Sequence, residues 1–474
     1  MRAKGDRGTG GGGDRGGRSQ GARRVPRDPA RNTAFDVMRA VDERDAYANL
    51  LLPRLLRERG IRGRDAALAT ELAYGTLRGL GTYDAIIEVC GDRAPDPDVR
   101  DALRLGAHQL LRMRVPPHAA VGTTVDLVRL RVGPGAAKFA NAVLRKIASR
   151  TVEEWLSIVA PDPADDPVGH LAVAHSHPRW IVSAFRDALG SDADLPDLLA
   201  ADNARPLVTL VARPGRSSVK ELEEAGATPG RYSPYAAYLP EGDPGRIEAV
   251  AGTRAAVQDE ASQLVALALT RVPVERRPED ELWLDMCAGP GGKAGLLDAV
   301  AVHGDPSGFP GGARLLAADV QFHRARLAWQ TTRHAGVVTA DGTEPAWRPE
   351  TFDRVMLDAP CTGLGALRRR PEARWRRDPA AIAELGRLQR RLLGTALDAA
   401  RPGGVVAYVT CSPHLAETRV VVGDVTRRRG DVEQLDARGF LPEVEGLGDG
   451  PHAQFWPHRH GTDAMFLSLL RKRP

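Results

Sequence analysis

Cysteine and aromatic residues are scarce in this chain, and it has no long apolar run. Its 474 residues include only four cysteines, and no two of them form a C-x-x-C pair. That spacing argues against a structural zinc site and against a disulfide framework. We find no signal-peptide core and no apolar segment long enough to span a bilayer. The sequence therefore predicts a soluble, cytoplasmic protein of about three domains, with no membrane partner and no resident metal.

Positive charge is concentrated at the start of the chain. The formal net charge is +5, and residues 1–33 carry nine Arg or Lys residues against three Asp residues. That segment has a charge of +6, so the rest of the chain is near −1. A segment this rich in Gly and Arg cannot bury a core, which predicts a disordered tail over 1–33. It can be a non-specific basic arm for RNA or a solubilising extension, and the sequence leaves both open.

Three regions follow this tail. Apolar residues at helical spacing predict an all-helical domain over 34–150. Residues 151–254 predict a linker, rich in Pro and Asp up to about residue 170, followed by a small α+β RNA-binding region. Strand and helix patterns alternate from 255 to 474, which is typical of a doubly wound parallel sheet, and a late strand is expected to close it antiparallel.

A glycine-rich loop, CAGPGGKAG, follows the first strand of the last region. A P-loop is excluded because Cys287 stands at its first glycine position and Ala294 follows Lys293 where Ser or Thr is needed. A dinucleotide loop is matched weakly. The next two strands end at Asp319 and Asp341, where carboxylates can hold a nucleoside. The sequence therefore predicts an adenosine-containing cofactor. Both NAD and S-adenosylmethionine are compatible with the glycine-rich loop and the two strand-end carboxylates.

Two cysteines end apolar runs that predict buried strands. Cys361 follows FDRVMLDAP, which also contains Asp358, and Cys411 follows GGVVAYVT. Parallel strands present their carboxyl ends at one rim of a sheet, so both thiols are expected there. They can be two small core residues, or they can act on a bound substrate.

Pyrimidine methylation needs such thiols, whereas hydride transfer does not. Carbon 5 of cytosine becomes nucleophilic after a thiolate adds to carbon 6, and covalent catalysis of this kind divides a hard step into easier ones. The thiolate is the reactive form. A carboxylate such as Asp358 can hold the cytosine edge, and a second cysteine can assist proton removal and release.

A basic segment follows Cys361. It predicts contacts to an RNA backbone, with an aromatic side chain available for stacking. The residues are Arg368, Arg369, Arg370, Arg374, Trp375, Arg376 and Arg377.

The motifs LDMCAGPGGK, LDAPCTGLGALRRRPEARW and VTCSPHLAET together resemble the RsmB (Sun, Fmu) family of 16S rRNA cytosine-5 methyltransferases. VQDEAS and HGTDAMF are similar to further motifs of that family, and HAAVGTTVDLV and FANAVLRKI resemble its NusB-like RNA-binding domain. The implied fold is an all-α NusB-like N-terminal domain, a small α+β linker domain and an α/β class I methyltransferase domain. The last would have a doubly wound, mostly parallel seven-stranded sheet.

The resemblance also implies roles for particular residues. Cys411 would be the nucleophile, Cys361 the release cysteine, and Asp358 would orient the cytosine and border the cofactor site. The S-adenosylmethionine pocket would be lined by Cys287, Ala288, Gly289, Pro290, Gly291, Gly292 and Lys293, with Asp319 on the ribose, Arg324 nearby and Asp341 near the adenine. Gly289, Ala294 and the pair Ala464 and Met465 depart mildly from the family pattern.

These implications predict an enzyme that methylates carbon 5 of a cytidine in 16S rRNA. The same chemistry on tRNA is an alternative, since the NusB-like domain favours rRNA only by analogy. Two further alternatives are a non-catalytic RNA-binding factor and an oxidoreductase that binds a dinucleotide.

Overall fold

A computed structural model describes residues 28–275, 280–306 and 308–474. Most of the predicted tail over 1–33 lies outside the described residues. Its last residues were predicted wrongly, because the first helix begins at Pro29. The Asp28 side chain accepts a hydrogen bond from the backbone N–H of Arg31, so this Asp–Pro pair is a helix start rather than the end of a tail.

Seven helices form the first part of the described chain, and they pack around one apolar core. Their apolar faces recur at helical spacing, and Pro occupies the first turn of four of them, where its missing N–H costs nothing. The helices are α1 (Pro29–Arg44), α2 (Ala48–Glu58), α3 (Gly63–Arg78), α4 (Leu80–Cys90), α5 (Pro97–Leu111), α6 (Pro117–Arg131) and α7 (Pro134–Ile147).

The stretch 151–170, predicted as a linker, contains two helices instead. Thr151 and Glu154 form a capping box at the start of α8 (Val152–Val159), and Asp166 caps α9 (Pro167–Ala174). The Pro and Asp content therefore marks helix starts rather than irregular chain. Two further helices, α10 (Arg179–Leu189) and α11 (Leu195–Asn203), complete this part.

A small antiparallel sheet of order β2-β3-β1-β4 comes next. Its elements are β1 (Val208–Ala212), α12 (Val219–Glu224), β2 (Thr228–Pro229), β3 (Ala236–Leu239), α13 (Glu248–Ala251) and β4 (Ala255–Val257). The predicted small α+β region is thus present.

The C-terminal region is a doubly wound sheet of order β10-β12-β9-β8-β5-β6-β7, with the short β11 paired to β12. Its helices are α14 (Glu260–Arg271), α15 (Gly292–His303), α16 (Phe322–Thr331), α17 (Ala373–Arg376), α18 (Ala380–Ala399), α19 (Arg419–Thr426) and α20 (Pro457–His460). Its strands are β5 (Glu281–Asp285), β6 (Ala313–Asp319), β7 (Gly336–Thr339), β8 (Phe352–Asp358), β9 (Ala400–Thr410), β10 (Val432–Leu435), β11 (Ala453–Gln454) and β12 (Phe466–Lys472).

This sheet confirms the predicted arrangement. Strands β5 to β9 pair in parallel, and β12 runs antiparallel to β9 and β10. The central strands are buried on both faces, as expected for a parallel sheet covered by helices. Their carboxyl ends therefore form one rim, on which the loops after β5, β6, β8 and β9 lie side by side. No helix of the described residues is long and apolar enough to cross a membrane.

The arginine-rich segment after Cys361 joins the C-terminal region to the first helices. Arg374 is 0% exposed, and its guanidinium donates to the carbonyl oxygens of Arg78, Ser176 and Asp202 and to Asn203 Oδ1, at 2.7–3.2 Å. Burial lowers its pKa to about 10, so it stays charged at neutral pH. Its charge is thus used to cap backbone carbonyls.

Neighbouring residues of the segment make similar contacts. The Arg376 guanidinium donates to the carbonyl oxygens of Val41, Asp45 and Ala46, which end α1. A carboxylate oxygen of Glu372 accepts a hydrogen bond from the N–H of Ala48 at the start of α2. The segment therefore binds both ends of the α1–α2 turn. Its guanidinium group binds the carbonyl oxygens at the end of α1, and its carboxylate binds a backbone N–H at the start of α2.

Four of the residues predicted to bind RNA are therefore engaged by the protein itself. Arg368 and Arg369 both pair with Asp259 and Asp463, at 2.7–3.0 Å. For these two residues and for Arg374 and Arg376, the contact to an RNA backbone stays a prediction, and acceptors distant in sequence already bind their guanidinium groups. Arg370 and Trp375 remain exposed.

Replacing Arg374 by Ala should loosen the attachment of the first helices. The change leaves four buried acceptors without their charged donor, which costs about 3 kcal/mol. We expect a lower melting temperature and faster tryptic cleavage after Arg376 and Arg377. The exposed Arg377→Ala variant is the matched control, and equal melting of the two variants would contradict the assignment.

Candidate active site

The two cysteines at the rim lie in direct contact. Cys411 comes immediately after β9, and Cys361 comes three residues after β8. Their Sγ atoms are 3.5 Å apart, within the distance of a thiol hydrogen bond. The structure thus brings together the two thiols that the sequence predicted to share one rim.

A buried carboxylate holds the two cysteine loops together. Glu417 is fully buried, and it accepts hydrogen bonds from the backbone N–H and the hydroxyl of Thr362, at 2.8 and 2.5 Å, and from the Ser412 hydroxyl at 2.6 Å. Thr362 follows Cys361, and Ser412 follows Cys411. One side chain therefore fixes the residues next to both thiols.

A third segment closes against the same loops. The N–H of Gly365 donates to the carbonyl oxygen of Cys411 at 2.9 Å, and the N–H of Ala464 donates to the carbonyl oxygen of Gly365 at 2.8 Å. A Cβ at position 365 would lie 2.0 Å from the Ala464 carbonyl oxygen, so only glycine permits this approach. The HGTDAMF motif thus packs directly on the loop that carries Cys361.

A lysine and two aspartates lie beside the thiols. Lys293 Nζ is 2.7 Å from Asp358 Oδ2, in a pair that is mostly buried. Burial opposes the charge of this lysine, but the Asp358 carboxylate prevails and raises the pKa of Lys293. Asp285, at the end of β5, is fully buried, and burial followed by the charge of Asp358 raises its pKa to about 7.

The glycine loop between β5 and α15 has room for a ligand. A Cβ added to Gly289 or Gly292 meets no atom within 4 Å, so this backbone borders open space. Gly291, with φ +92°, approaches Ala328 Cα so closely that a Cβ would lie 2.8 Å away. The loop therefore needs glycine both for its conformation and for its packing against α16.

Carboxylates line the cofactor side of the rim. Asp319 Oδ2 accepts a hydrogen bond from the N–H of Gly289 at 2.9 Å, which joins the ends of β5 and β6. Asp341 is exposed and accepts from Thr343, which lowers its pKa. Arg324 is exposed on α16 and makes no ion pair among the described residues. This acidic, glycine-lined rim suits the hydroxyls of a ribose and the positive sulfonium and ammonium groups of S-adenosylmethionine.

The two thiols have opposite acidities. The hydrogen bond with Cys361 lowers the pKa of Cys411. Burial and the Asp358 carboxylate oppose this effect, and the positive charge of Lys293 supports it. The pKa of Cys361 is raised by that same hydrogen bond and by burial. Cys411 is thus the thiol that ionises first, which the sequence alone did not decide.

Sequence reasoning missed Glu417 and Asp285. Glu417 lies six residues after Cys411, inside the VTCSPHLAET motif, and an acidic residue near a rim cysteine was the available signal. Asp285 ends a buried strand, as Asp319 and Asp358 do, but it was counted only as part of the strand. The equivalent strand-end position was the signal in that case.

Two family models match parts of this chain. The family model described as 16S rRNA methyltransferase RsmB/F matches residues 274–471, and that of the NusB family matches residues 28–149. A Mycobacterium tuberculosis protein named "Putative methyltransferase" is 54% identical over 96% of this chain and 99% of its own length. The ribosomal RNA small subunit methyltransferase B of Xylella fastidiosa is 32% identical over 86% of this chain and 90% of its own length.

Two solved structures share the fold. The crystal structure of PH0851 has a TM-score of 0.76 at 21% identity, and the match covers 94% of this chain and 99% of that one. NSun6 from Pyrococcus horikoshii has a TM-score of 0.50 at 17% identity, covering 63% of this chain and 98% of that one.

Fold and site define an S-adenosylmethionine-dependent RNA methyltransferase with an N-terminal NusB-type domain. The chain belongs to the RsmB/F family of these enzymes, which confirms the family predicted from its motifs. The cofactor is S-adenosylmethionine, and the NAD alternative is set aside.

Selective alkylation would check the acidities of the two thiols. We expect iodoacetamide to modify Cys411 faster than Cys361, with an apparent pKa below the ordinary value of 9.0. In Cys361→Ala the hydrogen bond is lost, so the pH profile of Cys411 should move to higher pH. Peptide mapping by mass spectrometry over pH 6–10, an interval of about four units around common thiol pKa values, would give both rates. Faster labelling of Cys361 would refute the assignment.

Shortening Glu417 should slow methyl transfer without unfolding the protein at room temperature. Glu417→Ala removes the acceptor shared by Thr362 and Ser412, so we expect the single-turnover rate to fall by about tenfold to a hundredfold, as for misplaced catalytic groups. Glu417→Gln keeps one acceptor oxygen and should lie between Ala and wild type. A wild-type rate in Glu417→Ala would show that the two loops hold their positions without it.

Proposed function

We propose that this enzyme methylates carbon 5 of a cytidine in 16S rRNA through a covalent cysteine–cytosine adduct. The observation that carries the proposal is the pair of rim thiols 3.5 Å apart, of which only Cys411 has a lowered pKa. Two adjacent thiols of opposite acidity suit a reaction with one nucleophile and one proton-handling partner.

Bound S-adenosylmethionine supplies an electrophilic methyl group beside the glycine loop. We assign its site to Cys287, Ala288, Gly289, Pro290, Gly291, Gly292, Lys293, Asp319, Arg324, Asp341 and Asp358. The room at Gly289 and Gly292 and the carboxylates at the neighbouring strand ends support this assignment.

The protein's own groups perform the remaining steps. The Cys411 thiolate adds to carbon 6 of the cytosine, and the electron pair of the 5,6 double bond moves to carbon 5, which then accepts the methyl group. Asp358, held by Lys293, binds the cytosine edge. Cys361, as a thiolate, then accepts the carbon-5 proton. The electron pair of the C5–H bond re-forms the 5,6 double bond, and the C6–S bond breaks to release the Cys411 thiolate. The cytidine must leave its stack for carbon 6 to meet a thiol at the rim.

Small-subunit rRNA is the substrate that the relatives favour. The Xylella relative is named a ribosomal RNA small subunit methyltransferase, and the matching family model is described as a 16S rRNA methyltransferase. The NusB-type domain agrees with this substrate by analogy. A tRNA substrate is the alternative, with the same chemistry.

Radiolabelled S-adenosylmethionine would test the reaction and its substrate together. We expect wild-type protein to label transcribed 16S rRNA and Cys411→Ala to label none. Cys361→Ala should accumulate a protein–RNA adduct that survives a denaturing gel. Label in tRNA alone would identify tRNA as the substrate, whereas full activity of Cys411→Ala would refute the covalent adduct. RNA binding by wild-type protein without label on any RNA would favour a binding factor.

A further inference from the structure

A groove lies where the arginine-rich segment meets the first helices. Its lining consists of Arg44, Ala46, Tyr47, Leu50, Leu51 and Arg54, from the end of α1 to the first turns of α2, around a cavity of about 320 Å³. Arg370 and Arg376 come from the segment that follows Cys361. We propose that this junction groove binds single-stranded RNA beside the target cytidine, an inference that rests on the proposed RNA substrate.

Tyr47 offers the aromatic surface that such a site needs. Its side chain is 45% exposed, and it precedes α2 without making a capping hydrogen bond. The guanidinium carbons of Arg370 and Arg376 lie 5.6 and 5.8 Å from its ring centroid. Aromatic rings with neighbouring guanidinium groups form stacking platforms for unpaired bases.

Positive charge that is only partly compensated surrounds this ring. Neither Arg44 nor Arg370 makes an ion pair among the described residues, and Arg54 has only an exposed pair with Glu58 at 3.4 Å. Exposed pairs of this kind contribute little and leave the arginine available to a phosphate. Arg376 differs, since carbonyl oxygens bind its guanidinium and hold it in place, and it also pairs with the exposed Asp45 at 3.4 Å.

An unpaired nucleotide fits this groove better than a second protein does. Leu50 is 69% exposed at one wall, but Arg44 and Arg54 are part of the same lining, and charged residues are depleted at the centre of protein interfaces. A strand of alternating bases and phosphates matches an aromatic ring bordered by cations.

The groove is connected to the catalytic loop along the chain. Arg370 lies nine residues after Cys361 in an unbroken segment, and the contact of Glu372 with Ala48 fixes that segment beside Tyr47. RNA in the groove would therefore touch both the NusB-type domain and the loop that carries the release cysteine.

Substitutions in the groove should weaken RNA binding and leave chemistry intact. We expect Tyr47→Ala to raise the Kd for transcribed 16S rRNA about tenfold, the loss of one stacked base, and Tyr47→Phe to bind like wild type. Arg370→Ala should reduce the slope of log K against log salt by about one. Rates at saturating RNA should not change.

Matched controls come from exposed residues elsewhere. Trp329→Ala removes an aromatic ring that is also exposed, and Arg428→Ala removes an exposed arginine outside the groove. We expect both to bind RNA like wild type, with all variants melting at the same temperature. Wild-type affinity in Tyr47→Ala and Arg370→Ala, or equal losses of affinity in the controls, would overturn the proposal that the groove binds RNA.

Binding is measured without S-adenosylmethionine, so this test is separate from the test of the reaction. If wild-type protein binds 16S rRNA through the groove but methylates none of it, RNA binding in the groove is supported and the proposed reaction is refuted. If methylation proceeds with an unchanged KM in Tyr47→Ala, the proposed reaction is supported and RNA binding in the groove is refuted.

Discussion

The burial of the Glu417 carboxylate is the constraint on which the catalytic geometry depends. A buried charge is costly unless donors surround it, and here the three nearest hydrogen bonds come from the residues that follow the two cysteines, with Gln389 Nε2 on α18 donating a longer one at 3.3 Å. The charge is therefore satisfied only when both loops are closed. Because a thiol hydrogen bond is weak, the carboxylate rather than the sulfur contact holds the thiols at 3.5 Å. Opposite acidities at Cys361 and Cys411 follow from that proximity.

The same principle operates between domains through the arginine-rich segment. Arg374 and Arg376 reach carbonyl oxygens in the helices that precede the catalytic region, while Arg368 and Arg369 pair with Asp259 and Asp463. A guanidinium group presents five donors in a rigid fork, so one residue can satisfy several acceptors on different elements. The loop that carries Cys361 is consequently attached at its far end to the NusB-type domain.

Sequence patterns were sufficient to predict those elements whose structure is determined by residues close together in the chain. The apolar runs that end at Asp319, Asp358 and Thr410 predicted strands, and the common rim of a parallel sheet then placed Cys361 beside Cys411. They failed where the partner is distant in sequence. A run of arginines carries no sign of the carbonyl oxygens that bind it, and Glu417 shows its partners only after the fold brings Thr362 and Ser412 together. Pro and Asp were ambiguous at 151–170, because the same residues start helices and fill linkers.

The distribution of charge explains why RNA recognition has to be local in this enzyme. Outside its first 33 residues the chain has a net charge near −1, so the folded body has no general attraction for a polyanion. Much of its arginine is already bound to carbonyl oxygens and carboxylates. What remains is a set of exposed cations, and at the junction of the two domains they flank an aromatic ring. An RNA that gains its affinity there must engage the NusB-type domain and the catalytic loop at once. Binding would then report that the domains are correctly docked, so the contacts that assemble the enzyme would also select its substrate.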